Sequence, residues 1–387
     1  MRRQCLSVVA IAVLTVLGTL VTGGAAHPQA RLIAHLHQLY YSNAKWLDED
    51  LTGFTNGALA PGRSALSSFG MANGTQHVYF VADNQHVHQL YYNNTKWLDE
   101  DLTGFTNGAL AAAGSALSGF AMANGTPHVY FVASNQHVYQ LYYNYKKWLD
   151  EDLTGFTNGA LAAAGSALSS FAMANGTQHV YFVADNQHVH QVYYNNTKWL
   201  DEDLTGFTNG ALAAAGSALS SFAMANGTQH VYFVTDNQLH QLYYNNTKWL
   251  DADLTGFTNG ALAAAGSALS GFAMANGTPH VYFVASNQHV HQLYYNYKKW
   301  LDEDLTGFTN GALAAAGSAL SSFAMADGTQ RVYFVASNQH VHQLYYNNMK
   351  WLDEDLTGFT NGALAAAGSA LSSFAMANGT QHVFYLN

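Results

Sequence analysis

Seven tryptophans, Trp46, Trp97, Trp148, Trp199, Trp249, Trp300 and Trp351, stand about 51 residues apart, each inside a near-copy of one segment. A repeat of roughly 20–50 residues is the signature of a solenoid, a propeller or an array, in which each unit buries its apolar face against a like neighbour. This constraint precedes any single residue, and it multiplies whatever one copy binds.

The copy around Trp148 reads as four short strands. Leu117 to Ala123 is an apolar and small run, followed by Asn124-Gly125. Asn-Gly between two such runs predicts a two-residue hairpin with positive φ at both central positions. His128 to Ala133 is rich in β-branched and aromatic residues, Ser134-Asn135-Gln136 is a second turn, and Val138 to Tyr143 a third strand. Lys147 to Leu153 is the fourth, and four antiparallel strands with tight turns make one propeller blade. Thr154 to Ser166 carries the chain to the next blade, its Ala and Gly suiting a crowded axis. A helical turn over Ala-Leu-Ala-Ala-Ala is too short and glycine-flanked to stand alone. The fifth copy, Asn237-Gln238-Leu239-His240, lacks one residue and predicts a tighter turn.

The ends predict closure. Arg31 to Tyr40 enters the repeat at a third strand, and the chain stops after His382 to Asn387, a second strand. Two strands from each end complete a seventh blade, leaving no open sheet edge. The expected fold is all-β: a seven-bladed propeller of four-stranded antiparallel blades, one domain over residues 27–387.

Residues 1–26 read as a secretory signal peptide: Arg2 and Arg3, an apolar run from Leu6 to Leu20, then small residues up to Ala26. Export is therefore expected. Cys5, the one cysteine, leaves with that segment, so the mature chain has no disulfide, thiolate metal site or cysteine nucleophile. Losing two arginines takes the formal charge from −10 to about −12. With no basic cluster, nucleic acid is not an expected partner. No membrane span is expected in the mature chain, and homo-oligomerisation stays open. The 19 histidines predict a strong positive swing on acidification, with pH-dependent self-association as its consequence.

The phrases Gly-Thr-Gln-His-Val-x-Tyr, His-x-His-Gln-Leu-Tyr-Tyr and Trp-x-x-x-Asp-Leu-Thr recur throughout. Over Arg31 to Asn387 the chain resembles the seven-bladed β-propeller lectins of the Photorhabdus lectin type. The resemblance implies sugar binding in pockets between adjacent blades, of fucose or related glycans, without catalysis. Where that type often reads Glu-Leu-Trp, this chain reads Gln-Leu-Tyr, as in Gln140-Leu141-Tyr142.

Sugars present C–H faces that lie on aromatic rings and hydroxyls that need a few placed polar partners. Residues two apart on a strand share a face, so Gln89 and Tyr91 project together. Gln38 with Tyr40, Gln140 with Tyr142, Gln191 with Tyr193, Gln241 with Tyr243, Gln292 with Tyr294, and Gln343 with Tyr345 do the same. Trp97 on the neighbouring strand would complete the Gln89 site, as Trp46, Trp148, Trp199, Trp249, Trp300 and Trp351 would in their own copies. The competing reading makes these rings blade-to-blade packing.

Asp150-Glu151-Asp152 follows Trp148, with its two aspartates on one strand face. Calcium binding and acid–base catalysis are weaker readings than a solvated edge whose second aspartate bonds the turn. The fifth copy, Asp251-Ala252-Asp253, breaks the run. His-x-His pairs such as His86/His88 have chelating geometry, but no third ligand at fixed spacing is evident, and Tyr139 breaks the pattern. No metal or cofactor is expected. Asn-Gly-Thr, at Asn73 and Asn124 among others, is formally a glycosylation sequon that the hairpin already explains. The expected function is a secreted multivalent lectin for glycans or glycoconjugates, and not an enzyme; the alternative is a non-enzymatic protein-interaction or structural propeller.

Overall fold

The computed structural model describes residues 33–296 and 298–387, so the expected signal segment lies outside the described residues. Seven four-stranded antiparallel sheets are present among them, and we number the blades 1 to 7 in the order of their tryptophans. In blade 3 the strands are Leu117–Ala121, Pro127–Val132, Val138–Asn144 and Lys147–Asp152. Blade 1 joins the chain ends: Leu371–Ala375 and Gln381–Leu386 pair with Leu36–Ser42 and Lys45–Asp50. Leu36 lies opposite Leu386, so the ring shuts within a sheet as the repeat predicts.

The first hairpin differs from expectation. Only Gly125, at φ 82, is left-handed, while Asn124 is not; the Gly125 N–H donates to Met122 C=O, and Asn124 Oδ1 accepts from Thr126 N. A longer loop with one left-handed residue closes the strands, and the asparagine acts through its side chain. The turn of blade 5 is shorter, spanning Thr235 to Gln238. The fourth strand ends at Asp152, and the helical turn sits on Leu153–Thr157 rather than on the alanines. Asp152 caps it by accepting from Gly155 N, and Asn158 at φ 50 ends it.

The axis is built by the first strands, not by the alanine-rich connection. Their serines bridge neighbouring blades, as in Ser118–Ser170 at 2.8 Å and Ser68–Ser372 at 2.7 Å. The connection instead lies between blades: Ala111 N donates to Gln85 C=O and Ala112 N to Val132 C=O.

The core is shared between blades. Tyr130, Val132 and Val138 of blade 3 pack with Leu168, Val180 and Phe182 of blade 4, and six similar clusters complete the circle. Burying a side chain of this size contributes about 1.5–3 kcal/mol, so each blade depends on its neighbour. Four interfaces add a hydrogen bond, buried at three and part-buried at Tyr282: Tyr130, Tyr181, Tyr282 and Tyr333 donate to Gln178, Gln229, Gln330 and Gln381 at 2.7–2.8 Å. At the other three the sequence removes a partner. Phe384 faces the Gln76 side, Pro127 the Tyr79 side and Pro279 the Tyr232 side, leaving Gln76 Oε1 and Tyr79 Oη buried without a bond. Among the described residues no helix is long and apolar enough to cross a membrane.

Candidate functional site

Strand alternation sets the site. In blade 2, Gln89 pairs with Glu100 and Tyr91 with Leu98, whereas Trp97 pairs with Tyr92. Trp97 therefore sits on the face opposite Gln89 and Tyr91, and does not complete their site. Each blade turns its Gln–Tyr–Glu face to the next blade and its Tyr–Trp face to the previous one.

The crevice between blades 1 and 2 gathers Gln38, Tyr40, Glu49, Phe54 and His382 on one side, and Gln76, Tyr92, Lys96 and Trp97 on the other. Corresponding crevices join Gln140 and Tyr142 to Trp199, Gln191 and Tyr193 to Trp249, Gln292 and Tyr294 to Trp351, and Gln343 and Tyr345 to Trp46. These five are open cavities of about 420–570 Å³, a size suited to a small ligand.

Each glutamine is on the floor, 2–4% exposed. Oε1 of Gln38, Gln140, Gln292 and Gln343 is buried without a hydrogen-bond partner, an acceptor left unsatisfied at the crevice floor. The tyrosine wall is tied to the middle acid: Tyr40, Tyr142, Tyr193, Tyr294 and Tyr345 donate to Glu49, Glu151, Glu202, Glu303 and Glu354 at 2.9–3.2 Å. Partial burial and then the glutamate push the Tyr142, Tyr294 and Tyr345 hydroxyls up to about 12, which keeps them donors. Burial also raises the Glu49 and Glu202 carboxyls. At the mouth Phe54, Phe156, Phe207, Phe308 and Phe359 are 62–66% exposed. Tryptophan serves both readings, since Trp97 lines the crevice while its edge meets Phe384 of blade 1, ring centroids 6.3 Å apart.

Two interfaces depart from this set. At blades 2 and 3, Pro127 replaces the glutamine, and Glu100 bonds Gln89 Nε2 at 3.0 Å and the Trp148 indole instead of Tyr91. At blades 5 and 6, Pro279 and Ala252 replace glutamine and glutamate, and Gln241 Nε2 donates to Tyr232 Oη at 3.2 Å. Gln241, Tyr243 and Trp300 thus lack a carboxylate partner.

The middle glutamate escaped the sequence reading, although alternation places Glu100 with Gln89 and the two aspartates on the other face. Asp99 and its counterparts are not merely a solvated edge either: Asp99 Oδ2 accepts from Ala58 N of the preceding connection at 2.7 Å. The floor histidines His128, His179, His280 and His382 were also missed. With His77 and His230, burial holds them down at about 4, so they stay neutral in mild acid and the charge swing is smaller than composition implies. In blade 7 this position is Arg331, a substitution visible in the sequence. Its Cζ lies 4.6 Å from the Tyr345 ring centre, and its buried Nε and Nη1 have no partner beside Glu354 and Trp46.

Comparison with known proteins gives three findings. The family described as fungal fucose-specific lectin matches residues 180–381, just over half of the chain. No curated protein matches. Among solved structures, the chain is similar to the Aleuria aurantia lectin, described as a six-bladed β-propeller with a novel fucose recognition mode: 18% identity, TM-score 0.55, 79% of this chain and 96% of that one. AofleA from Arthrobotrys oligospora gives 16%, 0.55, 75% and 84%, and a lectin from Burkholderia pseudomallei 12%, 0.57, 83% and 95%. At these identities the likeness bears on fold alone.

Proposed function

Because this chain belongs to the family of fungal fucose-specific lectins, we propose that it binds fucose or related sugars of glycoconjugates in the crevices between its blades, without catalysis. One observation carries the reading: an aromatic wall from one blade recurs opposite a buried, partnerless Gln acceptor and a Tyr–Glu pair from the preceding blade. A 6-deoxy sugar offers a methyl group and a C–H face to Trp97, Tyr92 and Phe54, and hydroxyls to Gln38 and Glu49. The blade count and the Trp-x-x-x-Asp-Leu-Thr phrase support a place near the Photorhabdus type within the wider group of propeller lectins. The apolar run before Ala26 supports secretion, with the propeller as the mature protein.

Five crevices carry the Gln, Tyr, Glu and Trp residues, four of them with the unpartnered Gln acceptor, and the Pro127 and Pro279 interfaces are weaker. Each open site alone binds weakly; on a rigid ring facing a dense glycan surface, linkage raises avidity by ~10²–10⁴. A glycan array printed at several densities tests this. Fucosylated glycans should bind with strong density dependence and be displaced by free fucose, whereas a blank array would contradict the reading.

A further inference from the structure

The His-x-His pairs find their third ligand across a hairpin. In blade 2, His86 Nδ1 lies 2.7 Å from Asp101 Oδ2, fifteen residues on, and His88 Nε2 lies 3.8 Å from Asp101 Oδ1. One ligand atom from each of His86, His88 and Asp101 falls within 4.8 Å of the others. Blades 4, 6 and 7 repeat this arrangement with His188, His190 and Asp203, with His289, His291 and Asp304, and with His340, His342 and Asp355. The sequence expectation of no third ligand is therefore corrected.

A second observation singles out the same four blades. His88 is 6% exposed, its Nδ1 lies 2.9 Å from Asp99 Oδ1, and its Nε2 is buried with no hydrogen-bond partner. Nε2 of His190, His291 and His342 is left in the same way. A carboxylate on one ring nitrogen fixes the tautomer and presents the other as a basic donor, the usual outer-shell support of a metal-bound imidazole. The other blades act as internal controls. In blade 3, Tyr139 replaces the second histidine, and its hydroxyl donates to Asp152 at 3.2 Å. Blade 5 has lost the first histidine with its shortened turn, and in blade 1 only His35 reaches Asp50.

We infer that blades 2, 4, 6 and 7 each hold one divalent transition-metal ion, with zinc the reference ion, on two imidazoles and one aspartate. Two neutral nitrogens and a single carboxylate suit zinc rather than calcium or magnesium. The short His86–Asp101 hydrogen bond must widen to admit an ion. His86 and Asp101 side chains are 28% and 34% exposed, so the fourth position is open to water or an incoming donor. The site lies at the end of the third strand away from Tyr91 and Tyr92, and it does not depend on sugar binding.

The test is zinc uptake by the full chain after chelator treatment, measured by equilibrium dialysis, with fucoside binding followed in parallel. About four zinc ions per chain are expected. Replacing His88, His190, His291 and His342 together by tyrosine, as blade 3 does natively, should abolish uptake and leave sugar binding unchanged; His88→Tyr alone should remove one ion. A second set, His86→Gln, His188→Gln, His289→Gln and His340→Gln, gives the same readout at the more exposed ligand and guards against a buried substitution that fails to fold. A wild-type chain that takes up no zinc, or folded variants that keep all of it, would overturn the inference.

Discussion

Asp48 Oδ2 accepts the backbone N–H of Ala363 at 3.1 Å, joining residues 315 apart in the chain where the ring closes. Every other blade repeats the clasp, for example Ala109 to Asp150 at 3.0 Å and Ala312 to Asp353 at 2.8 Å. The approach needs glycine just before the donor, since a Cβ on Gly362 would lie 2.9 Å from Asp48 Oδ2.

Loss of this clasp should loosen the closure. Asp48 also accepts from Tyr385 Oη at 3.0 Å, so Asp48→Ala leaves several groups unpaired and should cost about 2–3 kcal/mol. Gly362→Ala should destabilise in the same direction. Thermal or denaturant unfolding measures both, and unchanged stability in Asp48→Ala would mean the clasp contributes nothing.

Two tyrosine-to-phenylalanine changes should differ although the residues occupy the same place in neighbouring blades. Tyr130→Phe removes the donor to Gln178 and strands a buried acceptor, costing about 1–2 kcal/mol. Tyr79→Phe removes a buried hydroxyl that has no partner and should be neutral or stabilising. Phe384→Tyr, which offers Gln76 Oε1 a donor, should raise stability. Equal losses for the two phenylalanine variants, read from chemical denaturation, would refute the interface assignment.

The floor histidines set a pH dependence. Held at about 4 against 6.5, they remain neutral in the folded chain while the unfolded chain takes up protons, so folding stability is full above pH 6.5 and falls as pH drops toward 4. Each contributes up to about 3 kcal/mol over that window. Melting temperature should decline steeply between pH 6.5 and 4.5. A flat profile would place these rings in water.

Trp97 and Tyr40 belong to one crevice in this arrangement, and Trp97 and Tyr91 to two. By calorimetry with methyl α-fucoside, Trp97→Ala and Tyr40→Ala should each remove the same single site, and the double variant should remove no second one. Loss of two sites in the Trp97/Tyr40 double variant would contradict the pairing across blades.

The blade count, strand order and seam were legible because a period near 51 residues with broken ends leaves few other ways to pair strands. The site was legible in residue type and not in grouping. Trp97 and Tyr91 are close in sequence, but a strand's two faces serve different crevices, and only the inter-blade packing decides which blades meet. Glu100 could have been recovered by carrying the alternation onto the fourth strand. Asp101 could not be paired with His86 by spacing alone, because their proximity depends on hairpin register. Asn124 was misread because its side chain, rather than a left-handed backbone, makes the turn.

The most direct measurement is ligand density in a crystal of residues 27–387 soaked with methyl α-fucoside. Sugar should occupy the five crevices against Trp46, Trp97, Trp199, Trp249 and Trp351, its ring on the indole and a hydroxyl on the floor glutamine. Empty crevices at saturating fucoside, or sugar bound only outside them, would contradict the account.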